Sequence, residues 1–489
     1  MAIRFTEEHL RGFTAASMDT SPLHTSESYA RKTPFGERLV YGSLAVAACL
    51  GRLSLPAGKA PSGIRVEYKG PIVLGVDYSL QVIEEEAGTV RVLLMDGTVP
   101  AVRIRLFLRD GSPRMVELPE TGVASRTESR SNSEGFVPGL RCRGRYAPPR
   151  AAYSELLQLL DLDRGRWGDE LAIAVLCGSY LSGMEIPGES GASAGLQAVL
   201  ESPMGLPCDY EIELESHDPR FGRVESRFTL RGEGGVYAAG KVLGIVRPSL
   251  AKIAAPAART DPPRYAGKTA LVIGASRGLG AAMALDLAAQ GCTVVGGYFR
   301  SGEDAAVVEQ AGGALAGRLT MEHGDASQPQ WCSQIKERLQ SEFGRLDLLV
   351  LNAAPAILPL RVEMMHFARI QWYLQKGFAL VGVPLSSLLD LISASEGSVL
   401  LISSAAVENP PAVWPHYAAL KGAAEGLVRA AAADHSKVRF SIARPAKIAT
   451  DLINTPLGRM DAEQPSTVAR RILDHVAEYA QPGTVYLCA

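Results

Sequence analysis

At 489 residues, with 47% hydrophobic and 21% charged side chains, the chain is too long for one core and too apolar for disorder. Its 50 basic and 52 acidic side chains leave a net charge of -2, which offers nucleic acid or an anionic membrane no electrostatic hold and favours small-molecule partners. Seven scattered cysteines without a C-x-x-C pair indicate neither a disulfide framework nor a metal site. The N-terminus has no apolar signal core and the longest apolar run, residues 171–177, is far shorter than a bilayer, so a soluble cytoplasmic protein is expected.

The first motif is Asp19-Thr-Ser-Pro-Leu-His24, followed by Tyr29-Ala-Arg-Lys-Thr-Pro-Phe-Gly36. An apolar helix is predicted over residues 39–50, with alternating strands at 64–68 and 78–83. A carboxylate and an imidazole on one loop suit the addition or removal of water across a carbon-carbon double bond, one proton being taken and another returned. Backbone amides at the helix start, near Gly42 and Ser43, are placed to polarise a carbonyl oxygen. The plainer alternative is that Asp19 caps a turn and His24 is a satisfied histidine. The run resembles the (R)-specific enoyl hydratases, the MaoC-like hotdogs, whose D-x-N-P-L-H pattern it follows with Ser21 for Asn and Tyr41 for the frequent His before Gly42. That resemblance implies catalytic Asp19 and His24, and an acyl-CoA or acyl-carrier-protein thioester as substrate.

Residues 109–150, rich in Pro, Ser, Gly and charge, read as a connection. Beyond them the chain repeats itself at an offset of 132: Gly36, Glu37, Leu39 and Leu44 fall on Gly168, Asp169, Leu171 and Leu176, and Pro71, Asp77 and Tyr78 on Pro203, Asp209 and Tyr210. A second helix at 171–184 and strands at 194–200 and 210–214 complete the pattern. One long helix wrapped by an antiparallel sheet is the hotdog arrangement, so two fused copies are expected, at residues 1–120 and 140–250. The offset sets Ala151 against Asp19 and Leu156 against His24, which leaves the second copy without the acid-base pair. In double-hotdog hydratases, by the same resemblance, the inactive copy helps widen a tunnel for a long acyl chain.

Residues 247–268 read as a second connection, and residues 265–489 as a third domain. Strands at 269–273, 293–297, 346–351, 398–402 and 438–443 alternate with helices such as 281–290 and 418–434, the pattern of a doubly wound parallel sheet of Rossmann type. The expected fold class is therefore an α+β double hotdog followed by an α/β domain.

Gly274-Ala-Ser-Arg-Gly-Leu-Gly280 leaves the first of these strands and opens a helix. Gly274, Gly278 and Gly280 let the backbone approach a pyrophosphate while Ser276, Arg277 and Leu279 complete the turn. After the second strand, Tyr298-Phe-Arg300-Ser301 carries no carboxylate for a ribose 2′-hydroxyl. Arg277 and Arg300 favour the 2′-phosphate of NADP, with NAD the less favoured alternative. Tyr417-Ala-Ala-Leu-Lys421 sets Lys one helical turn after Tyr, where it can lower the phenol's pKa, and Ser404 lies just past a strand within reach of the same carbonyl. In reduction Tyr417 donates the proton and Ser404 bonds the developing alkoxide.

These motifs resemble the short-chain dehydrogenase/reductase family, the ketoacyl reductases in particular, over residues 268–489. The resemblance implies that Asp325 contacts adenine, that Asn352 stands in the N-N-A-G segment, that Lys421 holds the cofactor ribose, that Ile448 and Thr450 flank the nicotinamide, and that subunits pair as a homo-oligomer. Leu351 and Ala354 depart from that segment, Ala446 replaces the usual Gly after Pro, and Ala379 stands where the family carries a fourth catalytic residue, Asn. Gln375, one turn earlier, is the candidate substitute. Ketoacyl, hydroxyacyl and enoyl thioesters are consecutive intermediates, so the leading expectation is a bifunctional 3-ketoacyl reductase and 3-hydroxyacyl dehydratase in fatty acid- or polyketide-like metabolism. The alternatives are a reductase whose hotdogs only dock an acyl chain or carrier protein, and a reductase fold kept for binding alone.

Overall fold

In Arg223–Gly232 the side chains of Val224, Ser226, Phe228 and Leu230 are buried while Arg223, Arg227 and Arg231 face water, the period-two pattern of a strand covered on one face. Ten further strands complete one antiparallel sheet: β1 (Ala2–Arg4), β2 (Lys59–Tyr68), β3 (Asp77–Glu85), β4 (Thr89–Asp96), β5 (Val99–Asp110), β6 (Val123–Glu128), β7 (Arg141–Ala147), β8 (Gly191–Leu200), β9 (Cys208–Asp218) and β11 (Gly235–Val246), with Arg223–Gly232 as β10. Their spatial order is β1-β3-β4-β5-β2-β8-β11-β10-β9-β7-β6. The computed structural model describes residues 2–85, 88–128, 135–248, 256, 262–479 and 483–487, and divides into two units, Met1–Ser249 with Thr455–Leu457, and Leu250–Asn454 with Gly458–Ala489. Most of the expected connection at 247–268 lies outside the described residues.

Two apolar helices share one core with this sheet. Gly42–Gly51 buries every residue from Ser43 to Leu50, and Glu170–Tyr180 buries every residue it has. Helices apolar on all sides belong in a core, and each fully buried Leu or Val there contributes about 1.5–3 kcal/mol. The sheet has a two-fold joint at its centre. An offset of 132 carries Ile64 onto Leu196 and Val66 onto Ala198, and the register pairs Ile64 with Ala198 and Val66 with Leu196.

The offset does not hold through the helices. They begin at Gly42 and Glu170, 128 residues apart, because a π-helical turn, Leu181–Glu185, adds residues after the second one. The expected connection at 109–150 is also corrected, since it contains β6 and β7. In Arg141–Ala147, Cys142, Gly144 and Tyr146 point inward between Arg141, Arg143 and Arg145. The arginines made the stretch look like a loop, whereas their alternation is that of an edge region of a sheet.

The second unit has seven parallel strands: β12 (Thr269–Ile273), β13 (Thr293–Tyr298), β14 (Arg318–His323), β15 (Leu348–Leu351), β16 (Ser398–Ile402), β17 (Arg439–Ala443) and β18 (Gly483–Leu487), in the order β14-β13-β12-β15-β16-β17-β18. This is a Rossmann-like sheet. Helices Gly278–Ala289 and Pro465–Glu478 cover one face, and Pro329–Phe343, Met364–Ala394 and Pro415–Asp434 the other. Strand order reverses between β12 and β15, so a crevice opens there at the carboxyl ends of the strands. By length and composition Met364–Ala394 could cross a bilayer. Here Val381, Leu385, Leu388 and Ile392 pack into the core of the unit.

Candidate active sites

Helix Glu7–Ser17 stops at Met18, whose left-handed backbone (φ 56°) turns the chain inward and leaves Asp19 only 2% exposed. Ser21 donates its amide to Asp19 Oδ1 at 3.0 Å, and the Ser179 hydroxyl donates to Oδ2 at 2.8 Å. Tyr41, at the end of the loop, donates its hydroxyl to the Asp19 carbonyl at 2.6 Å and stacks on the His24 ring with centroids 3.9 Å apart. His24 Nδ1 lies 2.8 Å from the Leu39 carbonyl. A carbonyl only accepts, so Nδ1 carries the proton and Nε2 keeps its lone pair.

Burial pushes the Asp19 carboxyl up to about 7, against the pull of Ser21 and Ser179. Burial also pushes His24 down to about 4; the bond to Leu39 opposes this and the Arg247 charge adds to it. Between those values the pair holds one proton, which suits a group that must give and take a proton in one step.

Asp19 and His24 line a cavity with Ser21, Leu39, Gly42, Ser43 and Tyr68 from the first repeat and Ser179, Ser182, Gly183 and Ser193 from the second. Gly42 opens the buried helix, and a Cβ there would lie 2.5 Å from the Tyr68 ring. Tyr68 Oη meets Ser43 Oγ at 3.3 Å. Sequence reasoning missed Tyr68 and the second-repeat residues, because no motif marks them. The repeat itself was the usable signal, since a two-fold joint brings the second helix against the first copy's loop.

The pairing of Asp19 with Ala151 and His24 with Leu156 is corrected. Ala151 and Leu156 lie on helix Arg150–Leu159, after which Asp161 takes the left-handed turn (φ 54°) that Met18 takes in the first copy, so Leu162 is the counterpart of Asp19. At the start of the second apolar helix, buried Asp169 accepts from Arg164 at 2.6 and 2.7 Å, Tyr153 at 3.0 Å and the Val116 amide at 2.8 Å. Glu170 accepts from the Met204 amide at 3.0 Å, with Arg114 and Arg109 at 3.6 and 3.7 Å. Two carboxylates thus stand at the start of the second apolar helix, where the first has Gly42.

In the second unit Gly274 and Gly278 have positive φ, 82° and 57°. A Cβ on Gly280 would lie 2.1 Å from the Gly274 carbonyl and 2.6 Å from Asn352 Nδ2, which itself donates to that carbonyl at 3.0 Å. Ser276, Arg277 and Leu279 complete this turn over the N-terminus of Gly278–Ala289, and a Cβ on Gly278 would lie 3.2 Å from Thr450. The open amides and missing Cβ atoms form a cradle that fits a pyrophosphate. Arg277 bonds Asp451 at 3.0 Å with Asp304 at 3.8 Å, and Arg300 lies 5.4 Å from the Phe299 ring centroid. Ile448 pairs with Glu463 and accepts from the Thr450 amide. Asp325 accepts from Ser327 at 2.7 and 3.0 Å and from Lys376 at 2.8 Å. Burial alone would raise its carboxyl, but Lys376 and Ser327 hold it at about 2.

Ser404 lies two residues past β16, accepts from the Ala406 amide at 3.1 Å and hydrogen-bonds Tyr417. Lys421, fully inside, donates to the Ile402 carbonyl at 2.7 Å and lies 5.7 Å from the centre of the Tyr417 ring. Burial raises the Tyr417 phenol, with Ser404 opposing, and burial likewise brings Lys421 down to about 8, with Glu425 opposing. Glu425 is a residue that sequence reasoning missed. It accepts from Ser403 at 2.5 Å and Arg444 at 2.5 and 2.8 Å, tying the strand end before Ser404 to the segment before Pro445. Gln375, the candidate substitute for the missing Asn at Ala379, is exposed, and buried Tyr373 on the same helix donates its hydroxyl to the Pro355 carbonyl at 3.2 Å with its ring at right angles to His416.

Residues 268–457 match the short chain dehydrogenase family model and residues 1–96 match the MaoC like domain model. Among curated relatives, an uncharacterised oxidoreductase of Methylorubrum extorquens is 28% identical over 42% of this chain and 88% of its own length. The short chain dehydrogenase/reductase astE of Aspergillus oryzae is 28% identical over 45% of this chain and 85% of its own. A short chain dehydrogenase from Burkholderia cenocepacia, solved with NADP, aligns at 26% identity and a TM-score of 0.42, covering 46% of this chain and 97% of that one.

Proposed function

Given a chain that joins a MaoC-like domain at 1–96 to a short chain dehydrogenase domain at 268–457, we propose a bifunctional enzyme that reduces a 3-ketoacyl thioester with NADPH and then reversibly dehydrates the 3-hydroxyacyl product. The observation that carries this reading is buried Asp19 and half-buried His24 lining one cavity, in the same chain as a Ser404, Tyr417 and Lys421 constellation. The repeats at 1–120 and 140–250 are read as a double hotdog, supported by the two-fold joint and the two buried helices, and the reductase as residues 265–489.

At the reductase site the glycine turn and Lys421 hold the dinucleotide, and the two arginines with no carboxylate at the end of β13 favour a 2′-phosphate. A reduced nicotinamide bound there supplies hydride to the carbonyl carbon. The neutral Tyr417 phenol gives its proton to the carbonyl oxygen while Ser404 hydrogen-bonds the same oxygen, so ketone becomes alcohol. Glu425, through Ser403, steadies the strand end that aims Ser404.

At the hotdog site the amides of Gly42 and Ser43 polarise the thioester oxygen. In dehydration one member of the pair takes the proton from the α-carbon and the other protonates the departing hydroxyl, which leaves as water; hydration is the reverse. Single substitutions separate the two activities. Tyr417→Phe is expected to lower ketoacyl-dependent NADPH oxidation about 10²–10⁴-fold and spare enoyl hydration, and Asp19→Asn the converse. A protein that reduces but hydrates no enoyl thioester would reduce the hotdogs to a docking module.

A further inference from the structure

We propose that Arg247 is a positioning residue of the Asp19/His24 site, its guanidinium fastening the loop that carries His24 to the Gly188–Gly191 turn and holding an unpaired positive charge within electrostatic reach of the imidazole. This rests on the hydratase reading above and goes beyond it, because Arg247 lies outside every motif of that site.

Arg247 directly follows β11 and is 8% exposed. Among the described residues no carboxylate pairs with it. Its partners are a phenol and main-chain carbonyls: Nη2 donates to Tyr29 Oη at 2.8 Å, to the Glu189 carbonyl at 3.2 Å and to the Gly191 carbonyl at 3.5 Å. Its own amide donates to the Ser190 carbonyl at 2.9 Å. The guanidinium carbon lies 5.3 Å from the centre of the Tyr29 ring, and the Tyr29 hydroxyl also donates to the Glu189 carbonyl. The buried Nε has no partner. A neutral amide side chain could donate to carbonyls without the desolvation cost of a buried cation, so the charge calls for a use beyond packing.

Both ends of this tie belong to the cavity. Tyr29 stands on helix Glu27–Ala30, which follows, across Ser26, the helix Pro22–Thr25 that carries His24. At the other end the turn leads into Gly191, Ala192 and Ser193, which line the cavity. Fastening Tyr29 to that turn fixes His24 relative to this part of the wall.

The charge acts as well. The titratable and charged groups around the imidazole are Asp19 on its own loop, Tyr41 stacked on it, Tyr68 in the cavity wall and Arg247. Burial raises both phenols, and Asp19, at about 7, is still protonated where His24 titrates. Burial first, and then the Arg247 charge, bring His24 down to about 4, against the bond to Leu39. The neutral imidazole keeps the Nε2 lone pair that proton transfer requires.

The test follows two readouts on the full chain: the His24 titration midpoint, by nuclear magnetic resonance of labelled imidazoles assigned with His24→Gln, and hydration of trans-2-butenoyl-CoA as a function of pH. Arg247→Gln removes the charge. The His24 midpoint is expected to rise by at least about 0.5, the acid limb of hydration to rise with it, and kcat/KM at neutral pH to fall about tenfold or more. Arg247→Lys keeps the charge without the guanidinium fork, and is expected to hold the midpoint near the parent's while lowering kcat/KM. An unchanged midpoint in Arg247→Gln, or an equal rise in both variants, would overturn the role of the charge. Tyr29→Phe breaks the tie and keeps Arg247; it is expected to lower kcat/KM severalfold with ketoacyl reduction unchanged, and hydration at the parent rate would overturn the fastening. No hydration by the parent, with ketoacyl reduction preserved, would overturn the hydratase reading and the fastening with it, while the His24 midpoint in Arg247→Gln still decides the charge.

Discussion

Asp19 and His24 are the residues whose chemistry depends most on their surroundings. Asp19 sits at about 7 and His24 at about 4, so the singly protonated pair spans that interval. Hydration kcat/KM is accordingly expected to be bounded by apparent values near 4 and 7, and a profile still rising at pH 9 would contradict the assignment. The same burial has a stability consequence. A carboxyl raised in the folded state contributes stability fully present below its ordinary 3.8 and lost as pH rises through about 7, a difference of about 4 kcal/mol at about 1.4 kcal/mol per pKa unit. Asp19→Asn removes that loss. The variant's melting temperature, relative to the parent, is expected to rise between pH 5 and pH 8; a gap that stays constant across this range would refute the buried charge. His24 runs the other way, its contribution present above 6.5 and lost as pH falls through about 4. Asp19 and His24 were legible in the sequence because a loop motif carries them. Ser179 was not, since it meets Asp19 across 160 residues and only the folded chain brings them together.

Among the elements, parallel strands with continuous apolar runs were readable, and β12 and β16 match the expected residues 269–273 and 398–402. Strands β6 and β7 were hidden by their arginines, which face solvent at an edge and mimic loop composition. The π-helical turn was illegible for another reason: its residues continue an ordinary apolar helix pattern, and only packing against Asp19 makes Gly183 a requirement. That requirement is testable. Gly183→Ala would drive a Cβ into the Asp19 carboxylate and is expected to lower hydration at least tenfold while ketoacyl reduction is unchanged. Hydration by the variant at the parent rate would show that the close approach does not matter. In the second unit Ala379 stands where the resemblance implied an Asn and Gln375 is exposed, while buried Glu425 and Ser403 with half-buried Arg444 brace the strand end before Ser404.

At the scale of the whole molecule, residues distant in sequence meet at the Asp19 loop: Ser179 donates to Asp19 and Gly183 lies against its carboxylate, while Leu162 follows a left-handed turn at Asp161 as Asp19 follows one at Met18. The two proposed activities would be consecutive, the alcohol formed at Tyr417 being the group lost at Asp19 and His24. The most direct measurement follows both in one vessel: acetoacetyl-CoA and NADPH with the full chain, recording NADPH absorbance and separating the thioesters by chromatography. The account predicts NADPH loss followed by a four-carbon enoyl thioester at equilibrium with its 3-hydroxy form, and accumulation of the 3-hydroxyacyl thioester alone with Asp19→Asn. NADPH consumption by the unmodified protein that ends at the hydroxyacyl thioester, with no enoyl product at any time, would contradict it.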